Sequence, residues 1–200
     1  MLKLDDHKVI FVAVGLIGVL VFASPTLGLV LRLPGGERFS ELWILGPGHL
    51  VENYPYNVKE GENYLVYVGV GNQMGSSAYY VCYVKLRNQT EPLPNATSAT
   101  PSPLSPLYEY QVFLQDGKSW EASLSFSFEN VSFSSDQSFV GSITINGVGS
   151  SLGKRALWDA ENKGYFYELF VELWIYSVES GSTQFHNRFV HFWLNMTRNT

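Results

Sequence analysis

Ser119-Trp120-Glu121-Ala122-Ser123-Leu124-Ser125-Phe126-Ser127-Phe128 is the stretch that decides how this chain folds. Apolar side chains stand at 120, 122, 124, 126 and 128, and polar ones fill every position between them. An extended backbone sends successive side chains to opposite faces, so the alternation predicts a strand with one face in a core and the other in water. A helix would scatter the same residues around its axis and bury none of them together.

The pattern extends in both directions. Upstream, Tyr108, Tyr110, Val112 and Leu114 form one face of another strand. Gln115-Asp116-Gly117-Lys118 then reads as a hairpin turn, because Asp-Gly accepts the positive φ angles of a tight primed turn. Asn146-Gly147, after Ser142-Ile143-Thr144-Ile145, carries the same signal. Residues 64–70 and 78–86 are two further strands. Two long strands close the chain, 165–179 and 184–196, paired across Ser180-Gly181-Ser182. On the first, Tyr167, Leu169, Val171, Leu173 and Ile175 share a face, with Glu168, Phe170, Glu172, Trp174 and Tyr176 opposite. Large side chains on both faces imply burial on both sides, or a face that docks a partner. One short helix is expected around 152–161, stopped by Asn162-Lys163-Gly164. Eight or nine strands with little helix predict an all-β fold, an immunoglobulin-like two-sheet β-sandwich.

Residues 88–106 break the alternation with Pro92, Pro94, Pro101, Pro103 and Pro106. Proline cannot donate to a ladder, so a Pro-rich surface loop is expected inside one domain.

The other end of the chain is different in kind. Between Lys8 and Arg32 lie 23 residues without a charge. As a helix they would reach about 34 Å, enough for a hydrocarbon core of about 30 Å. The expected organisation is a cytoplasmic tail at 1–8, a retained transmembrane helix at 9–31 and an extracytoplasmic β-sandwich at 32–200. A cleaved signal peptide is the competing reading, since Val21-Phe22-Ala23 resembles a cleavage site, but the apolar run continues to Leu31. Lys3, Lys8 and the amino terminus precede the span, which favours a cytoplasmic N-terminus and the rest of the chain outside the cell membrane. Four sequons fit an external location: Asn88-Gln89-Thr90, Asn95-Ala96-Thr97, Asn130-Val131-Ser132 and Asn195-Met196-Thr197. The lipid bilayer, N-glycans on these four Asn and an integral-membrane protein are the expected partners.

Composition narrows the function classes. The chain of 200 residues carries a formal charge of −5, which argues against a nucleic-acid partner. It has one Cys, so an intramolecular disulfide and a multi-Cys metal site are both excluded. Charged residues make up only 16% of the chain, while Ser, Tyr, Asn and Gly are plentiful. Neutral hydroxyl and amide groups hydrate a surface at any pH, so this composition suits an acidic medium, or equally a glycosylated surface that needs few charges.

Gly46-Pro47-Gly48, Asn53-Tyr54-Pro55, Gly61-Glu62 and Val68-Gly69-Val70-Gly71-Asn72 fall in one short block after the apolar run. This block resembles an archaeal family of membrane proteins known only as a domain of unknown function, over about residues 39–86. The resemblance implies membrane segments coupled to an extracytoplasmic β-domain and offers no catalytic residues. Read physically, the same residues are turn and strand-end positions.

Candidate chemistry is sparse. Gly149-Ser150-Ser151-Leu152-Gly153 matches G-x-S-x-G, with Asp159 and His186 or His191 following in hydrolase order. That motif needs a strand-to-helix elbow on a parallel sheet, which the hairpins here do not provide. His186 and His191 are five apart and face opposite ways on a regular strand, so they do not share a metal unless a bulge intervenes. With His7 and His49, they are expected as structural or surface histidines. Glu168 and Glu172 share a strand face about 13 Å apart, wider than glycosidase pairs, and are expected on a solvated or interface face. Cys82 is expected as a small buried residue. No catalytic residue, metal or cofactor is expected. Tyr54, Tyr56, Tyr79, Tyr80, Trp174 and Tyr176 are the candidate interface aromatics, since exposed Tyr and Trp suit protein interfaces and sugar platforms. The expected role is a non-catalytic, membrane-anchored accessory or interaction subunit of an archaeal cell-envelope membrane complex, with an oligosaccharyltransferase-type complex as one candidate. A surface-layer-associated or glycan-binding β-sandwich module is the alternative, and a serine hydrolase a remote one.

Overall fold

The computed structural model describes residues 4–30 and 37–198, with side chains in the first stretch described at 7–19 and at 22. The chain divides into two units, Met1–Arg38 and Phe39–Thr200. The end of the expected span at Leu31, the start of the expected external domain at 32–36 and the first three residues of the expected tail lie outside the described residues.

The first unit contains one helix, α1 (Leu4–Val30), of 27 residues. At about 1.5 Å per residue it is about 40 Å long. Its described apolar side chains are exposed, from Val9 and Phe11 to Phe22 at 85%. Among the described residues, no helix is long and apolar enough to cross a membrane.

The second unit is mostly β. Its strands are β1 (Phe39–Leu45), β2 (Asn57–Val58), β3 (Tyr64–Gln73), β4 (Ala78–Asn88) and β5 (Tyr108–Leu114), followed by β6 (Lys118–Phe133), β7 (Gln137–Ile145), β8 (Val148–Asp159), β9 (Gly164–Ser177) and β10 (Ser182–Met196). They form one curled ten-stranded sheet in the order β1-β3-β6-β7-β8-β9-β10-β2, with β4 pairing β9 and β5 pairing β4. The pairs are antiparallel except β10 with β2. The sheet narrows at β8–β9, where the ladder consists of Trp158↔Tyr165 and Asp159↔Gly164. Strands from both sides of this neck line a single core. Val66, Val68, Leu124, Phe126 and Ile143 come from one side, and Cys82, Val84, Tyr167, Leu169, Val171 and Leu194 from the other. The alternation of β6 appears as expected, with Leu124, Phe126 and Phe128 buried and Ser123 and Glu121 outside.

Three local expectations are corrected. The Asp116-Gly117 turn is tight, with Gly117 at φ 71°, but it does not close a hairpin. Both edges of β6 are taken, by β3 and β7, so β5 pairs with β4 instead. The turn therefore carries the chain from one side of the core to the other, and the Gly117 amide donates to the Asn72 carbonyl at 2.7 Å. Asn146-Gly147, with φ of 48° and 80°, does close the β7–β8 hairpin. Second, 152–161 is not helical; β8 continues to Asp159. Leu152 and Ala156 pack inward, while Leu157 and Trp158 remain exposed. Exposed apolar residues hide the two-residue period there. Third, the Pro-rich segment is not wholly a surface loop, because Pro94 and Ser102 are buried and its chain folds back over the outer face of β9.

Candidate functional site

The first ten residues of β9, Gly164 through Leu173, are all buried, so both faces are covered. The inner face, Tyr167, Leu169, Val171 and Leu173, joins the core. The outer face carries Phe166, Glu168, Phe170 and Glu172 against β4 and β10. A buried carboxylate is costly unless it is paired and hydrogen-bonded, and both are. Lys85 Nζ lies 2.9 Å from Glu172 Oε2 and donates a second bond, also 2.9 Å, to the Ser102 carbonyl. Glu172 accepts the Ser102 amide at 2.7 Å and the Trp174 indole at 3.0 Å. Arg87 Nε pairs with Glu168 Oε2, and its Nη1 donates to the Glu91 carbonyl at 2.6 Å. Glu168 Oε1 lies close to His191 Nδ1 without hydrogen-bond alignment. The expectation of a solvated or docking face for the two carboxylates is thus corrected: cations from β4 and the Pro-rich strap enclose them. The signal was Lys85 and Arg87, two apart on an otherwise apolar strand.

Beside these charges the same outer face opens into a cleft of about 330 Å³. Six residues line it: Tyr56, Gln89, Asp159, Asn162, Phe166 and Trp193. They come from five places: the approach to β2, the start of the strap, the β8–β9 turn, and the outer faces of β9 and β10. Trp193 meets Phe166 edge-on, with centroids 6.4 Å apart and planes at 88°. Tyr56 lies 6.3 Å from Phe166. The Arg87 guanidinium sits over the Trp193 ring, 5.2 Å from its centroid, so the buried ion pair also fixes the indole. Asp159 is the hub of the turn: Oδ1 accepts the amides of Glu161 and Asn162, and Oδ2 accepts the Asn162 side chain at 2.8 Å. The Asn162 side chain and backbone hold the Asp159 carboxyl below the usual carboxylate range. Gln89 Nε2 reaches the Leu157 carbonyl at 3.3 Å. Among the described residues, the side-chain oxygen of Asn162 and the Tyr56 hydroxyl have no hydrogen-bond partner.

The expected interface aromatics scatter. Tyr56 is half-exposed in the cleft, and Tyr176 is exposed near the end of β9. Tyr54 is structural, donating to the Ile44 carbonyl at 2.7 Å and stacking on Phe192. Tyr79 donates to Gln111, and Trp174 packs edge-on against Tyr83. Tyr80 leaves the interface set. It is fully buried, its hydroxyl bonds Ser40 and Asn72, and burial pushes its proton affinity up. Phe166 and Trp193, which shape the cleft, were missed because sequence alternation does not say which outer face stays open.

Of the sequons, Asn95 and Asn130 are exposed. Asn88 donates to the Arg155 carbonyl at 2.9 Å, and Asn195 to Asn57 at 3.0 Å. Ser151 lies in the middle of antiparallel β8, so no strand-to-helix elbow forms there. A bulge between Phe185 and Arg188 interrupts β10, yet His186 and His191 still diverge, one bonding Ser40 and the other meeting Glu168. Among the described residues no group of three or more His, Cys, Asp or Glu is placed to hold a metal ion.

Residues 33–137, just over half of the chain, match the family model described as "Domain of unknown function (DUF1616)". The chain belongs to that family. The DUF1616 match ends at the start of β7, within the curled sheet. No curated protein matches the chain. Among solved structures it is similar to a β-glucosidase from Listeria innocua in complex with gluconolactone, at 14% identity and a TM-score of 0.42 over 80% of this chain. A mutant of that enzyme in complex with laminaribiose matches with the same identity and score. The chain spans only 16% of the glucosidase. A chain of the complex between Zinc 2-glycoprotein and Prolactin inducible protein from human seminal plasma matches at 7% identity and a TM-score of 0.37. That match covers 82% of this chain and 99% of that one.

Proposed function

We propose that this chain is a membrane-anchored, extracytoplasmic β-domain that works by binding. In this reading it is an accessory subunit of an archaeal cell-envelope membrane complex, and an oligosaccharyltransferase-type complex is one candidate. The observation that carries the reading is α1. Its 27 residues include Val9, Phe11 and Phe22, all exposed to whatever surrounds the helix. Apolar side chains left exposed along a helix need lipid or protein around them. The uncharged run up to Leu31, the flanking Lys3 and Lys8 and the four sequons support an external β-domain. The same reading takes the curled sheet as an immunoglobulin-like two-sheet sandwich pinched at β8–β9. A single core filled from both sides of that neck supports this.

The test is extraction of native membranes with a mild detergent, followed by size-exclusion chromatography and mass spectrometry. A stoichiometric integral-membrane partner is expected, with the apolar segment intact in the mature chain. A monomeric chain, or a mature terminus near Ser24, overturns the reading.

A further inference from the structure

We propose that the cleft formed by Tyr56, Phe166 and Trp193 with Gln89, Asp159 and Asn162 is a binding site for a neutral saccharide. Three features point to that ligand class. Sugar rings present C–H faces that stack on aromatic surfaces, and here three rings border one opening of about 330 Å³. That volume is at the lower end of small-molecule sites, about 300–1,000 Å³. Sugar hydroxyls both donate and accept, and the polar lining is of matching kind. It consists of two carboxamides, a phenol and one carboxylate, with no Lys or Arg among the six. A carboxylate without a lining cation disfavours uronic acids and phosphorylated sugars. The site is also built rigid. Trp193 is 38% exposed on one side while the Arg87 guanidinium, held by Glu168 and the Glu91 carbonyl, braces its ring. Asp159 and Asn162 lock each other in the β8–β9 turn. Little side-chain freedom is therefore lost when a ligand docks.

Two sequons adjoin the cleft. Gln89 is the middle residue of Asn88-Gln89-Thr90, and Asn195 bonds Asn57 next to Tyr56. The saccharide can thus come from an N-glycan on this chain or from a free or envelope-borne glycan. The inference needs no protein partner, so it stands or falls separately from the subunit reading.

The experiment uses the full chain from a host without N-glycosylation, held in a detergent without a sugar headgroup. It is titrated with di- to hexasaccharides of glucose, mannose, galactose and N-acetylglucosamine, and with oligogalacturonate as the acidic control. Binding to at least one neutral series is expected. Tyr56→Ala and Trp193→Ala should each weaken it about tenfold, the size of losing one aromatic stacking contact. Tyr176→Ala, outside the cleft, should leave it unchanged. Tyr56→Ala removes no hydrogen bond, so it reports on the cleft even if Trp193→Ala disturbs folding. Absence of binding to every neutral series overturns the proposal, as does equal binding by wild type and both cleft variants. Preference for oligogalacturonate also overturns it. Chain purified from its native host separates the sources. Binding that appears only after enzymatic deglycosylation identifies the occupant as the chain's own glycan, and unchanged binding identifies an external one.

Discussion

Lys85→Met should cost the β-domain more stability than neutralising Lys85 and Glu172 together. Methionine keeps most of the apolar stem but removes the ammonium. Glu172, with no exposed surface, is then a buried charge facing only the Ser102 amide and the Trp174 indole. The Ser102 carbonyl loses its donor as well. Breaking a buried ion pair from one side costs about 3–5 kcal/mol, a large part of the 5–15 kcal/mol of an average domain, roughly. Glu172→Gln alone strands the ammonium instead. The double variant strands neither charge, and its glutamine oxygen still accepts the Ser102 amide. It should therefore be at least about 1 kcal/mol more stable than Lys85→Met, and the double-mutant cycle should be strongly non-additive. Urea unfolding of the full chain, followed by tryptophan fluorescence, measures all three. Proteinase K cleavage within 92–106 gives a second readout, because the strap loses its anchor in Lys85→Met. A cost below about 1 kcal/mol for Lys85→Met, or additive single variants, would refute this account of the pair.

Other outcomes follow from particular contacts. Gly69→Ala should destabilise by about 1–3 kcal/mol in the same urea assay, since a Cβ there would lie 2.1 Å from the Trp43 ring packed across the β1–β3 pair. Burial pushes the Cys82 thiol up to about 12, so a chromogenic disulfide reagent at pH 8 should leave it unmodified until denaturant is added. Burial, then the nearby Arg188 charge, lowers the His186 proton affinity from its ordinary 6.5, so the unfolded chain binds that proton more readily. Stability is therefore full above pH 6.5 and falls as pH drops below it. Asp159 is held below its ordinary 3.8, so its contribution is present above that value and lost as pH falls further. Thermal unfolding should show Tm declining in both windows, and a flat profile from pH 7 to about 3 would contradict the assignment.

What the sequence revealed follows the range of each signal. Period-two alternation is local, so β6, the inner face of β9 and the Asn146-Gly147 hairpin were all legible. Asp116-Gly117 revealed a turn but not its partners, because φ preferences at two residues carry no information about which strand has a free edge. Leu157 and Trp158 masked β8 by exposing apolar side chains that a strand usually turns inward. The scarcity of charge suggested a surface hydrated mainly by neutral groups. The structure shows that four of the few charges, on Lys85, Arg87, Glu168 and Glu172, lie in the interior or at its margin. Composition counts charges without locating them. The cleft was legible only through Tyr56, since its other walls meet through contacts between residues far apart in the chain.

The placement of β9 also governs the order in which this protein can be completed. β4 and β5 leave the ribosome early, yet the long edge of β4 pairs with a strand that starts at Gly164. Until then the nascent chain displays an apolar strand with free amides and carbonyls, the kind of edge on which chains aggregate. Lys85 and Arg87 sit on that strand, and while Glu168 and Glu172 are still unsynthesised, their repulsion can keep two such nascent edges apart. The two cations therefore meet their counterions only when the chain is nearly finished.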